Sequence, residues 1–485
     1  MSLLSTHRSQ SAFRDPQSTA VYDVAIVGAG VVGTAIAREL ARYRVRCLLL
    51  EASDDVGTGT SKANTAILHT GFDAKPGSLE AQLVRRGHDL LQRYGPEAGI
   101  PIERLGALLV AWNAEQLGRL DAIAENAKRT GYTAARRVGA EALYHAEPNL
   151  GPGALGALAI PDESIICPFT TPLAFATQAV VNGVELVVNS PVQGVTRTTD
   201  LFVLRTPATS YCSRFVVNSA GLHADTVDRM FGHEDFSITP RRGELIVFDK
   251  LARPLVNHIL LPVPTDVSKG VLVSPTVFGN VVLGPTAEDV RDKSATGSTA
   301  AGITSLLEKG RQLVPALVTE EVTAVYAGLR AATEHSDYQL RCHPAERYVC
   351  VGGIRSTGLS ASMAIAEYVV QALAEAGLTL QERGDFQTVR MPNIGEAFPR
   401  PYQSAIAIAA NPDYGRIVCH CERVTRSEIL DATCGPVPAR SLDAVRRRTR
   451  ALFGRCQGFY CAAAVAQLVA QATGQSVASL LAVES

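Results

Sequence analysis

The 485-residue chain lacks an excess of charge of either sign: 46 Lys and Arg oppose 47 Asp and Glu, for a formal net charge of −1. It therefore has none of the basic surplus that drives nucleic-acid binding, and no nucleic-acid partner is expected. With 46% hydrophobic residues it also lacks the apolar-poor composition of a disordered chain. No uninterrupted apolar run of about 18 residues occurs, so no transmembrane segment is expected. Residues 1–20 are polar and lack the apolar stretch of a signal peptide, which reads as a loose tail. Internal repeats and low-complexity blocks are missing too. What these absences leave is a cytoplasmic protein of a reducing compartment, peripheral to the inner membrane only through a partner. At roughly 100–200 residues per domain, two to four domains are expected.

Cysteine is sparse over most of the chain. Cys47, Cys167, Cys212, Cys342 and Cys350 are scattered singly, whereas Cys419, Cys421, Cys434, Cys456 and Cys461 crowd into the last stretch. In a chain this long an even total of ten does not imply a disulfide scaffold. The scattered residues, as in Arg46-Cys47-Leu48 and Val349-Cys350-Val351, read as small core side chains. The terminal set needs its own explanation.

What is present begins at Asp23-Val-Ala-Ile-Val-Gly28-Ala-Gly30-Val-Val-Gly33, an apolar run and a glycine turn leading into a helical pattern. A second buried-strand pattern, Val45–Leu50, ends on Glu51. Gly28 permits the tight turn, Gly30 lets the backbone approach a pyrophosphate, and Gly33 lets the helix pack close to the strand. The helix N-terminus then faces the phosphates, and Glu51 is placed to accept from a ribose hydroxyl. A carboxylate there repels a 2′-phosphate, which points to FAD or NAD rather than NADP.

Three later features favour FAD. Glu185–Val188 followed by Pro191-Val192 reads as a strand and its exit, and Phe215–Asn218 runs into Ser219-Ala220-Gly221; either segment can lie beside the nucleotide. Tyr348-Val-Cys-Val-Gly-Gly353-Ile-Arg355-Ser-Thr-Gly358-Leu359-Ser360 repeats the logic of strand, glycine turn and helix start, and its free N–H groups would suit the negative charge of a reduced flavin. The alternative is a second turn of the same sheet without a ligand. Between these turns, His69 titrates near neutral pH if unperturbed and could take a proton from a substrate hydroxyl. Lys269 and Arg330 sit near glycines among apolar residues, where cations suit a carboxylate or phosphate.

The glycine fingerprint, the stretch Ser61-Lys-Ala-Asn64 to Gly71, Gly270–Pro275 with Gly279–Pro285, Ala327–Arg330 and Gly353–Leu359 resemble the FAD-dependent glycerol-3-phosphate dehydrogenase and oxidase group. That group lies within the D-amino-acid-oxidase-like superfamily, which also holds L-2-hydroxyglutarate dehydrogenases. The resemblance covers residues 21–385. It implies an α/β fold, with a Rossmann-type FAD-binding domain interleaved with an antiparallel substrate-binding sheet. By the same resemblance Ser61, Asn64, Val192, Ala220, Gly221, Gly353, Gly358, Leu359 and Ser360 join Gly28, Gly30, Gly33 and Glu51 around FAD. His69 would lie near the flavin, with Lys269, Arg330 and Arg355 around the substrate anion.

In the terminal set, Cys419-His-Cys421 is separated by 34 residues from Cys456-Gln-Gly-Phe-Tyr-Cys461. Four thiolates on two short loops can ligate a [2Fe-2S] cluster; zinc is the alternative, although C-x-C is tight for one tetrahedral ion. Arg446, Arg447, Arg448, Arg450 and Arg455 would offset the charge of an oxidised cluster, or else form a solvated helix face. Cys434 falls outside the spacing. Residues 416–472 resemble the small helical bacterioferritin-associated-ferredoxin-like [2Fe-2S] domain found at the C-terminus of the anaerobic glycerol-3-phosphate dehydrogenase large subunit. Residues 386–415 read as a linker and 473–485 as a tail. The expected activity is oxidation of a small anionic secondary alcohol, first of all sn-glycerol 3-phosphate, with hydride passing to flavin N5. Electrons would leave through the cluster to an acceptor subunit or the quinone pool. A 2-hydroxyacid such as L-2-hydroxyglutarate, or an opine or amino acid, is the alternative substrate, and a non-catalytic electron-transfer or redox-sensing subunit the alternative of another class.

Overall fold

A computed structural model describes residues 20–264 and 270–482. The strand Val21–Val27 lies in the middle of an eight-stranded sheet. Cys47–Leu50 and Glu185–Val187 run to one side of it, Ser210–Asn218 and Tyr348–Gly352 to the other, all parallel. Parallel strands are covered on both faces, which is why Cys47-Leu-Leu-Leu50 is apolar and buried at every position. The long strand Ser210–Asn218 changes partner along its length, pairing first with antiparallel Phe202–Arg205 and then with parallel Tyr348–Gly352. Because the chain builds outward on both sides of Val21–Val27, a crevice opens at that strand's carboxyl end, where the glycine turn stands.

The helix Val31–Leu40 starts at this turn and packs on Thr170–Val181 and Gly358–Glu375. Gly358–Glu375 also receives Leu79–Ala98, whose ends are set locally: Ser78 accepts the Ala81 N–H, and Gly99 closes the helix at φ +73°. A second sheet of nine strands draws on residues 107–160 and 238–333, between the segments that build the first, so the two are interleaved along the chain. It is antiparallel except where Ala107–Ala111 meets Ile259–Pro262, and its longest pair joins Ile238–Phe248 to Val322–Thr333.

The C-terminal unit is small and mostly helical. Strands Ile417–Cys419 and Val424–Thr425 precede helices Arg426–Ala432, Leu442–Thr449 and Ala462–Thr473, around a core that includes Ile429, Val445, Val465 and Val469. A Thr425/Glu428 capping box starts the first of these helices. The stretch 386–415 carries the short helices Pro401–Gln403 and Ala405–Ala410, and Arg400, 2% exposed, pairs with Glu428 at 2.9 Å. Cys47, Cys167 and Cys350 are buried, Cys212 and Cys342 half-buried, and Cys434 exposed. Among the described residues no helix is long and apolar enough to cross a membrane.

Candidate functional site

A cavity of about 1110 Å³ opens over the glycine turn, just above the roughly 300–1,000 Å³ range of small-molecule pockets. Gly28, Gly30, Glu51, Ser61 and Asn64 stand on its wall, as do Val192, Ala220 and Gly221. Gly28 adopts φ +99°, and a Cβ there would meet the Ser219 carbonyl oxygen at 2.6 Å. Gly33 lies behind the wall, where a Cβ would run into the Gly28 carbonyl oxygen, so it serves the strand–helix packing. The Ser61 hydroxyl accepts the Val31 N–H at 2.9 Å at the start of the helix. Glu51 accepts N–H groups of Ala29 (2.7 Å) and Ser53 (2.9 Å), which leaves lone pairs for a hydroxyl. Burial pushes its carboxyl up, against those N–H bonds. A phosphate-ready turn, a hydroxyl acceptor one strand away and a cavity of this volume fit FAD.

His69, Arg330 and Arg355 are off this wall, although Ala66 and Leu329 are on it. The His69 backbone N–H donates to the Ser360 hydroxyl at 2.8 Å, so the His69 segment and the second glycine turn meet. Gly353 has φ +65°, and Gly358, Leu359 and Ser360 form the buried first turn of their helix, also off the cavity wall. The His69 ring places Nδ1 3.0 Å from Glu163, whose other oxygen accepts the N–H (2.7 Å) and hydroxyl (2.9 Å) of Thr70. Glu163 is fully buried. No local pattern marks it, since it reaches His69 across 94 residues. Arg330 lies on Val322–Thr333, and among the described residues no carboxylate pairs with it; its one hydrogen bond is a 3.4 Å contact to the Thr286 carbonyl. Burial, with Arg241 beside it, pulls the guanidinium down to about 10. Arg355 is held by the Ser336 carbonyl (2.6 Å) and Glu80 (3.4 Å). Lys269 lies outside the described residues.

The four expected cysteine ligands converge from two loops. Cys419 ends a strand, Cys421 follows it, and Cys461 caps the helix Ala462–Thr473. The thiols lie as two neighbouring pairs, Cys419 beside Cys461 and Cys421 beside Cys456, each taking one residue from each loop. Within each pair one thiol is lowered and its partner raised: the Cys461 thiol, with the Glu422 and Leu452 N–H groups, pulls Cys419 down to about 6 while Cys461 itself is pushed up, and the Tyr460 N–H lowers Cys456 while burial raises Cys421, so each pair favours a single thiolate. Arg423, Arg450, Leu452 and Gln457 all take positive φ around them, a contorted backbone that turns N–H groups inward. One tetrahedral zinc at Zn–S about 2.3 Å would gather all four sulfurs closely. Among the described residues the group of three or more ligand atoms within 4.8 Å is instead His233, His343 and Glu346, whose imidazoles stack 3.8 Å apart with nearly parallel planes. Two sulfur pairs suit two irons.

The arginine run has a role besides the expected one. Arg447 and Arg448 both reach Asp55 at 2.7 Å, with all three side chains buried. Arg455 reaches Asp249 at 2.7 Å, and Arg450 reaches Asn280 at 3.3 Å while its guanidinium lies 4.1 Å over the Phe278 ring. These carboxylates and rings belong to the larger domain. Arg447, Arg448, Arg450 and Arg455 are therefore more than a solvated face: they clamp the C-terminal unit onto the cavity side of the larger domain.

Residues 23–372 match the family described as FAD dependent oxidoreductase, and residues 417–471 match the BFD-like [2Fe-2S] binding domain. The chain is 35% identical over 457 residues to a glycerol 3-phosphate dehydrogenase of Caloramator mitchellensis, covering 94% of this chain and 95% of that one. It is 30% identical to a glycerol 3-phosphate oxidase of Mycoplasma pneumoniae over 72% of this chain and 94% of that one. The fold superposes on the FAD-bound L-α-glycerophosphate oxidase of Mycoplasma pneumoniae with a TM-score of 0.73 and 28% identity, covering 77% of this chain and 100% of that one. With matches running through both its cavity-bearing domain and its cysteine loops, the chain belongs to the FAD-dependent oxidoreductase family and carries a C-terminal [2Fe-2S] domain.

Proposed function

We propose that the protein is a dehydrogenase of sn-glycerol 3-phosphate that passes electrons onward through its own iron–sulfur domain. The observation that carries the substrate is Arg330: a half-buried, desolvated cation without a carboxylate partner among the described residues, on the strand whose preceding residues Thr323–Leu329 line the cavity. A desolvated guanidinium without a counter-ion is costly unless an anion arrives, and its planar fork suits a phosphate. When bound, FAD supplies a two-electron acceptor at flavin N5, and the cluster a one-electron carrier beyond it. His69 takes the proton of the secondary hydroxyl as its carbon is oxidised. Glu163 holds the ring through Nδ1 and stabilises the imidazolium that results. Arg330 anchors the phosphate, and Arg355 completes the anion's surroundings.

Anaerobic titration with glycerol 3-phosphate, L-2-hydroxyglutarate and amino acids tests the substrate: the flavin should bleach with the first alone, and no bleaching with it sinks the proposal. The Glu163→Gln variant keeps the shape but loses the charge. Its flavin should be reduced about 10²-fold more slowly, the scale of general-base catalysis, with FAD content unchanged. Stopped-flow reduction at a rate equal to the parent's would remove Glu163 from the mechanism.

A further inference from the structure

The cavity over the glycine turn is closed on one side by the C-terminal domain. Asp443, Arg446, Arg447, Arg450 and Phe453 all stand on its wall. The arginines among them differ in how their charge is met. Arg447 shares buried Asp55 with Arg448, and Arg450 has Glu422 at 3.3 Å. Among the described residues the one carboxylate Arg446 reaches is Asp443, at 3.9 Å, and it is already bonded by Arg447 and lies 3.5 Å from Lys62. The Arg446 Nε atom is buried and unpartnered. Its guanidinium lies 4.4 Å over the Phe453 ring, which in turn stacks on Phe169 at 5.5 Å. A half-buried cation on the cavity wall, held against an aromatic face with its carboxylate neighbour 3.9 Å away and shared with Arg447, has guanidinium donors left for an anion entering the cavity.

Position tells which anion. Asp443, one turn before Arg446 on the same helix, faces Lys62. The neighbouring Ser61 bonds the Val31 N–H at the helix start above the glycine turn, the point built to receive phosphates. We propose that Arg446 binds the phosphates of FAD, so that the iron–sulfur domain forms part of the flavin site. Dinucleotide and domain then hold each other in place, and the electron carrier is docked against the flavin whenever the flavin is bound.

The test is a titration of FAD into the deflavinated full-length protein, followed by flavin fluorescence, with riboflavin as a phosphate-free probe. Arg446→Ala should raise the Kd for FAD about 10-fold or more, the loss of one charge-assisted hydrogen bond, and leave riboflavin binding unchanged. Arg446→Lys should recover much of the loss. Iron and acid-labile sulfide measured on each variant show whether the domain is intact; should the alanine variant lose its cluster, Arg446→Gln is read in the same titration. Parent-like FAD affinity with the cluster intact overturns the proposal, as does an equal loss for riboflavin. A raised KM for substrate with FAD affinity unchanged would assign the arginine to the substrate instead, and equally overturns it.

Discussion

Arg330→Ala should lower kcat/KM for glycerol 3-phosphate by about 10²- to 10³-fold, within the 2–5 kcal/mol usual for truncating one partner of a buried charge pair. The phosphate is bound in ground state and transition state alike, so most of the loss should appear in KM. Arg330→Lys should recover only part, because an ammonium offers a point charge in place of a fork. Arg330→Ala should leave the folded protein as stable or more so. Arg330 is half-buried and desolvated without a carboxylate partner among the described residues, and removing an uncompensated desolvated cation relieves a cost. A residue that folding disfavours and turnover requires is placed for a ligand. Steady-state kinetics with thermal unfolding of the same variant checks both halves; a destabilised variant with unchanged KM would reduce Arg330 to a structural residue. If the chain were a non-catalytic subunit, substrate-driven flavin reduction would be absent in the parent too.

Asp55→Ala should be the most damaging single change to the join between the two domains. It leaves Arg447 and Arg448 facing each other with side chains only 6% exposed, and breaking such a buried pair costs about 3–5 kcal/mol. Denaturant unfolding followed by the loss of cluster-bound iron should show the C-terminal domain released early, at a midpoint well below that of the parent. Burial opposes the charge on Asp55, but Arg448 and Arg447 outweigh it and hold the carboxyl below the usual range. A carboxylate whose folded value is depressed stabilises fully above its unfolded value, about 3.9, and loses that contribution as pH falls through the folded value. The domains should therefore stay joined at pH 5 and separate only below about pH 4. Because the pair is buried, added salt should do little. Release of the domain near neutral pH, or an alanine variant with an unchanged midpoint, would show that other contacts carry the join.

What could be read in advance follows the range of the interactions. The turn Gly28–Gly33 and the acceptor Glu51 are legible because their constraints act over a few residues of strand, turn and helix. The cysteine loops are legible for the same reason: C-x-C and C-x4-C hold each ligand pair within one loop. Glu163 is not, since nothing near it in the chain announces that a buried carboxylate will meet His69 across the fold. The arginine run shows the limit most clearly. Its composition invites a reading against the nearest expected charge, the cluster, yet buried Asp55 and Asp249 compete for it, and a guanidinium goes to the carboxylate with which it can be desolvated and paired.

By itself the sequence determined the modules of this protein: the nucleotide turn, the flavin-family scaffold and the C-terminal [2Fe-2S] domain, all written in short-range spacing. Only the tertiary structure decided how they are joined. The side on which the C-terminal domain docks, the arginine left over to face the cavity, and the crossing of cysteine pairs between loops depend on which distant groups lose their water together, and that is settled by packing.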